Sequence, residues 1–113
     1  MTTKEFKNHI LSTYFVEVPN ITTRAMFGGY ALYKDGIIFS LLTSDNKLYF
    51  KVDAYSAKEY AELGGEPFVY QHFGKKPAQM PYYTVPQSIL ENPKDLLSWI
   101  DTALEVSRNY KSK

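Results

Sequence analysis

The sequence predicts an α+β domain of two layers, a mainly antiparallel sheet of about five strands with helices packed on one face, in the order α-β-β-β-α-β-β-α. Three observations carry this. Apolar residues recur at helical intervals near both ends of the chain. Between them, short runs of aromatic and β-branched residues follow one another at strand length. The turns joining consecutive strands are too short for the crossovers that parallel strands need. At 113 residues the prior is a single domain over 1–113, with a core at about 3–108 and Lys111-Ser112-Lys113 as a frayed tail.

Thr2-Thr3-Lys4-Glu5 has capping-box spacing, and Phe6, Ile10 and Tyr14, flanked by Leu11 and Phe15, recur every four residues. A helix is expected from about 3 to 16, ended by Val18-Pro19-Asn20 because the residue before a proline is pushed out of the α region. Arg24 to Tyr33 then reads as one strand, with Gly28 and Gly29 in its middle. Glycine inside a strand packs nothing and costs roughly 0.5–1 kcal/mol relative to alanine, so these two need a reason. Either the strand bulges there, or another backbone or a ligand comes so near that a Cβ would clash.

Lys34-Asp35-Gly36 supplies a tight-turn dipeptide, with Ile37 to Leu42 as the return strand. After a turn at Ser44-Asp45-Asn46, Leu48 to Val52 alternates, with Leu48, Phe50 and Val52 on one face and Tyr49 and Lys51 on the other. These three strands make a meander. Ser56-Ala57-Lys58-Glu59 has a second capping-box spacing, and Gly64-Gly65 ends a helix of about two turns. Residues 66–73 and 79–85 read as two further strands joined by Gly74-Lys75-Lys76-Pro77. Pro67 and Pro81 argue for edges or strand ends, since proline donates no ladder hydrogen bond. Finally Asn92 caps a helix whose first position is Pro93. Its apolar face is Leu96, Ile100, Ala103 and Ser107, with Leu97 and Leu104 beside them and Trp99 at its edge.

Composition narrows the function classes. A hydrophobic fraction of 44% with 22% charged residues is that of a folded globular chain. Thirteen basic against twelve acidic residues leave a net charge of +1, so no global field advertises a nucleic-acid or membrane partner. With no cysteine, thiol catalysis, thiolate metal sites and disulfides are excluded together, as befits a reducing compartment. No signal segment opens the chain and no apolar run approaches membrane-spanning length, so a soluble cytoplasmic protein is expected.

Motifs for chemistry are sparse. His9 and His72 lie in different elements, without metal-ligand spacing, and no cofactor or metal is expected. No nucleophile elbow is present, and Gly28-Gly29 lacks the spacing of a dinucleotide fingerprint and the lysine of a phosphate loop. Arg24 is one of only two arginines. Its guanidinium can grip a carboxylate or phosphate, stack on a tyrosine such as Tyr82 or Tyr83, or stitch the strand entry to the body of the fold, the last being the ordinary role. Lys75 and Lys76 form a basic pair at a hairpin tip, for which solvation is the ordinary state. Ten tyrosines, with Tyr49, Tyr70, Tyr82 and Tyr83 on strands, exceed what a core needs, so some should line an exposed face.

Several motifs occur together in one order: Arg24-Ala25-Met26-Phe27-Gly28-Gly29-Tyr30, Phe50-Lys51-Val52-Asp53, Glu66-Pro67-Phe68, Met80-Pro81-Tyr82-Tyr83 with Val85-Pro86, and Leu97-Ser98-Trp99. In this the chain resembles the TfoX amino-terminal domain family over roughly residues 8 to 108. The resemblance implies a compact α/β fold and, for its better-known bacterial members, regulation of natural competence for DNA uptake alongside other transcription machinery. It implies no established enzyme activity, cofactor or catalytic residue. Full-length competence regulators of this type carry a second, carboxy-terminal domain, and this chain resembles the first.

The expectation is thus a non-enzymatic regulatory domain that acts through protein partners, with Arg24, Phe27, Lys75, Lys76, Tyr82 and Tyr83 as the candidate interaction surface and Gly28 and Gly29 as structure. An unpaired sheet edge or a tyrosine-rich face would serve a homodimer as well. Two alternatives stay open. Nucleic acid could bind through an aromatic and basic sheet face, although the aromatic signature of RNA-binding sheets is missing. A small ligand or substrate could occupy a pocket at Gly28-Gly29 lined by Arg24, Phe27 and Tyr83.

Overall fold

The computed structural model describes residues 1–26, 28–70, 74 and 76–111. Among them the order is α1 (Thr3–Thr13), β1 (Ile21–Met26), β2 (Gly29–Lys34), β3 (Ile37–Leu42), β4 (Leu48–Lys51), α2 (Ala54–Glu62), β5 (Pro67–Tyr70), β6 (Ala78–Thr84), α3 (Gln87–Leu90) and α4 (Pro93–Lys111). The α+β class holds, with six strands in place of about five and a short extra helix, α3.

The sixth strand comes from the glycine pair. Arg24 to Tyr33 is a hairpin rather than one strand: Met26 pairs with Gly29 across a two-residue turn in which Gly28 has φ +75°. Gly29 then begins β2 where β3 leaves no room, since a Cβ there would lie 1.9 Å from the Leu42 carbonyl oxygen. The close approach of another backbone is therefore the reason for Gly29, and a left-handed turn conformation the reason for Gly28.

Other boundaries shift for local reasons. The α1 capping box between Thr2 and Glu5 is present, but the helix stops at Thr13 because the chain turns to bury Phe15 and Val18. Phe15 packs on Phe39 and Phe50, with ring centroids 6.0 and 6.3 Å away. Helix α2 starts at Ala54, ahead of the start that the Ser56 signal suggested: its cap is Asp53, whose carboxylate accepts from the Tyr55 and Ser56 amides. Ser56 is the third helical residue, and its hydroxyl accepts from the Asp53 amide. The Asn92 cap on α4 is as expected, accepting from the Asp95 amide at 3.2 Å. Leu97, expected beside the apolar face of α4, is 49% exposed.

All pairings are antiparallel in one sheet, in the order β1-β2-β3-β4-β6-β5. Pro81, expected at an edge or end, lies inside the interior strand β6, beside a register shift between Pro67 and Phe68 that disrupts the ladder where the missing N–H would count. Its carbonyl still accepts from Val52.

The helices share one face. Their core joins Ile10, Leu32, Phe39, Phe50, Tyr60, Ile100 and neighbours, and Trp99 packs on Tyr60 with centroids 4.6 Å apart and the rings inclined by 50°. A second, smaller cluster of Ala31, Leu41, Tyr49, Phe68 and Tyr82 contains strand residues alone and marks the helix-free face.

Candidate interaction surface

Strand alternation sorts the predicted site residues onto different surfaces. Tyr82 pairs with Lys51 and Tyr83 with Phe50, so the adjacent tyrosines face opposite ways. Tyr82 belongs to the helix-free cluster and is 4% exposed, beneath the Lys51 ammonium 5.2 Å from its ring centre. Tyr83 packs toward the helical side, in a cleft of about 480 Å³ with Asp53, Ala57, Met80 and Val106.

Arg24 is exposed on β1, the first strand of the sheet, whereas β6 is the fifth. Four strand spacings, roughly 19 Å in a flat sheet, separate them, so Arg24 stacks on neither tyrosine. It shares a shallow groove of about 360 Å³ with Thr22, Thr23, Tyr33 and Gly36. Among the described residues its guanidinium has no hydrogen bond or ion pair, so it stitches nothing to the body of the fold. Gly28 is exposed in the turn, and Lys76 is exposed just before β6. Phe27, Lys75 and His72 lie outside the described residues. The structure thus does not gather Arg24, Tyr82 and Tyr83 into one patch, and the clefts holding Arg24 and Tyr83 are separate.

On the helix-free face the aromatic rings are packed rather than displayed. Tyr49 is 6% and Phe68 8% exposed, with ring centroids 5.0 Å apart. Burial pushes the Tyr82 phenol well above its ordinary pKa, with Tyr33 adding to the rise. Burial likewise raises Tyr49, helped by the Asp45 and Glu66 charges. Tyr33 and Tyr70 are half-buried around them.

Charge is sorted by layer, a feature that sequence reading missed although the strand sequences carry it. No aspartate or glutamate occurs in any of the six strands, while Arg24, Lys34 and Lys51 do. Lys34 is bound to Asp35 in the following turn at 3.1 Å, and Asn20 donates to the same carboxylate at 2.7 Å. These two contacts hold the Asp35 carboxyl below the usual range, Lys34 being the larger cause.

Among the described residues, no three His, Cys, Asp or Glu side chains gather as metal ligands. The His9 ring meets the Thr13 hydroxyl, at 3.2 Å, and packs edge-on with Tyr14. No described helix is long and apolar enough to cross a membrane.

A single antiparallel sheet with helices on one face, a packed aromatic opposite face and a bare cationic edge defines a small α+β domain. Comparison with known proteins agrees: the chain belongs to the TfoX N-terminal domain family, which matches residues 13–107. It is similar to the DNA transformation protein TfoX1 of Aliivibrio fischeri, at 36% identity over 86 residues. That alignment covers 75% of this chain and 40% of the relative, so the chain spans less than half of that protein's length.

Proposed function

We propose that this chain is a bacterial regulatory domain linked to competence for DNA uptake, acting in the cytoplasm through contacts with protein partners rather than by catalysis. The observation that carries the reading is membership of the TfoX N-terminal domain family over residues 13–107, together with a relative named as a DNA transformation protein. The surface agrees with a protein partner better than with nucleic acid. Base stacking needs open rings, and Tyr49, Phe68 and Tyr82 are all largely covered. The region of Gly28-Gly29 also offers little to a small ligand, because Gly29 is closed against the Leu42 backbone.

The test is genetic and biochemical. Deleting the gene in the bacterium that encodes it should lower DNA-uptake transcripts and transformation frequency, and re-expressing residues 1–113 should restore them at least in part. Unchanged transcripts, joined with a turnover activity in the purified chain, would overturn the reading.

A further inference from the structure

Strand β1 is an edge that the fold leaves open. The Asp35 amide donates to the Asn20 carbonyl at 3.1 Å, which makes that facing pair a hydrogen-bonded one. Register runs unbroken from Ile21↔Lys34 to Met26↔Gly29, so alternation makes Thr22, Arg24 and Met26 the residues bonded to β2. Ile21, Thr23 and Ala25 therefore turn their N–H and C=O groups outward, and these six groups have no partner among the described residues.

Sheet edges are ordinarily blunted by proline, bulges, shortness or charge. The opposite edge, β5, has two such devices among the described residues: it starts at Pro67 and its pairing contains the register shift. β1 is six residues long, without proline or bulge, and its one charge is Arg24.

We propose that β1 docks an extended acidic segment of a partner protein, which adds to the sheet as a seventh strand with a carboxylate side chain opposite Arg24. This rests on the protein-contact reading above and deepens it. Main-chain bonds to Ile21, Thr23 and Ala25 supply affinity, while the side chain facing Arg24 supplies selection. Charge complementarity picks the partner. Arg24 is unpaired among the described residues, no strand carries a carboxylate to repel an incoming one, and the nearby Asp35 is already held by Lys34 and Asn20. A guanidinium beside the Thr22 and Tyr33 side chains suits a carboxylate in the groove.

A second copy of this chain fits less well. Antiparallel self-pairing through the outward residues faces Arg24 with Asn20, Thr22, Met26 or its own counterpart, never with a carboxylate. Nucleic acid also fits poorly, because the edge offers phosphate as many carbonyl oxygens as amides.

The test uses the whole chain, isotope-labelled, and a capped heptapeptide of alternating threonine and valine with a central glutamate, followed by amide NMR and hydrogen exchange. Binding should shift and slow the Ile21, Thr23 and Ala25 amides. A peptide with central lysine should bind at least about fivefold more weakly, and Arg24→Glu should reverse that preference while leaving the circular dichroism spectrum unchanged. Three results would each overturn the proposal: no slowing at these amides with millimolar glutamate peptide, equal affinity for both peptides, or protection of β1 by an oligothymidylate or by raised protein concentration alone. Failure here with an intact genetic response would remove the docking edge and leave the regulatory reading standing; the converse pattern would do the reverse.

Discussion

Gly29 stands against Leu42 so closely that a side chain cannot enter, the position of a Cβ being 1.9 Å from the Leu42 carbonyl oxygen. A Cβ on Gly28, next to it, would meet nothing within 4 Å beyond its chain neighbours, and the requirement there is the φ of +75°. The two glycines should therefore respond differently to alanine. Gly28→Ala is expected to destabilise by about 1 kcal/mol, the ordinary strain of a left-handed residue. Gly29→Ala must push two strands apart and should cost about 3 kcal/mol or more. Urea unfolding of both variants checks this, and equal losses would contradict the packing argument.

A second prediction concerns the start of α2. The Asp53 carboxylate accepts from the Tyr55 and Ser56 amides at 3.1 and 2.9 Å and from the Ser56 hydroxyl at 3.1 Å. Removing it leaves helix-start donors without partners, so Asp53→Ala should lose about 1–2 kcal/mol. Asp53→Asn, which keeps the acceptor, should lose less than half of that. Thermal or urea unfolding distinguishes the two, and similar losses would assign the effect to charge rather than to capping.

What could be read in the sequence divides along physical lines. Local signals worked: the Thr2-Glu5 box, the Asp35-Gly36 turn and the Asn92-Pro93 helix start depend on neighbours a few residues apart, and each is present. The hairpin at Gly28 escaped because Phe27-Gly28 is not a common turn dipeptide. Yet the stretch from Ile21 to Lys34 exceeds the usual five or six residues of a strand, and that was the available warning. Ser56 drew the α2 boundary away from Asp53 because both residues have capping chemistry. The candidate site was less legible still. That Tyr82 and Tyr83 face opposite ways follows from the strand period, but the distance from Arg24 to either depends on sheet order, which is set by β4 pairing with β6 across an intervening helix and strand. Nothing local encodes that.

A third prediction comes from Tyr60, 1% exposed, whose hydroxyl is buried with no hydrogen-bond partner among the described residues. An unmet phenol in an apolar setting costs about 1–3 kcal/mol, while its ring packs on Trp99. Tyr60→Phe should accordingly be neutral or stabilise the domain by about 1 kcal/mol, whereas Tyr60→Ala should lose about 3–5 kcal/mol. Urea unfolding reads both, and a loss of about 1 kcal/mol or more in the phenylalanine variant would show that the hydroxyl is bonded after all.

The same tyrosine shapes the behaviour at high pH. Burial raises the phenol pKa of Tyr60 above its ordinary value, with the Glu59 charge adding to the rise, and burial does the same to Tyr82. In the unfolded chain both ionise at about pH 10. Above that point the unfolded state binds fewer protons than the folded one, so the slope of stability against pH is negative. The contribution of these two groups is complete below pH ~10 and is lost as pH climbs toward their folded values, at up to about 1.4 kcal/mol per pH unit for each. Unfolding free energy should therefore fall steeply between about pH 10 and 12, and Tyr60→Phe should make that fall about half as steep if the two phenols dominate it. Urea titrations at a series of pH values, with absorbance at the phenolate band, measure both quantities. Ionisation of all tyrosines near the ordinary value while the domain is still folded would refute the burial of Tyr60 and Tyr82.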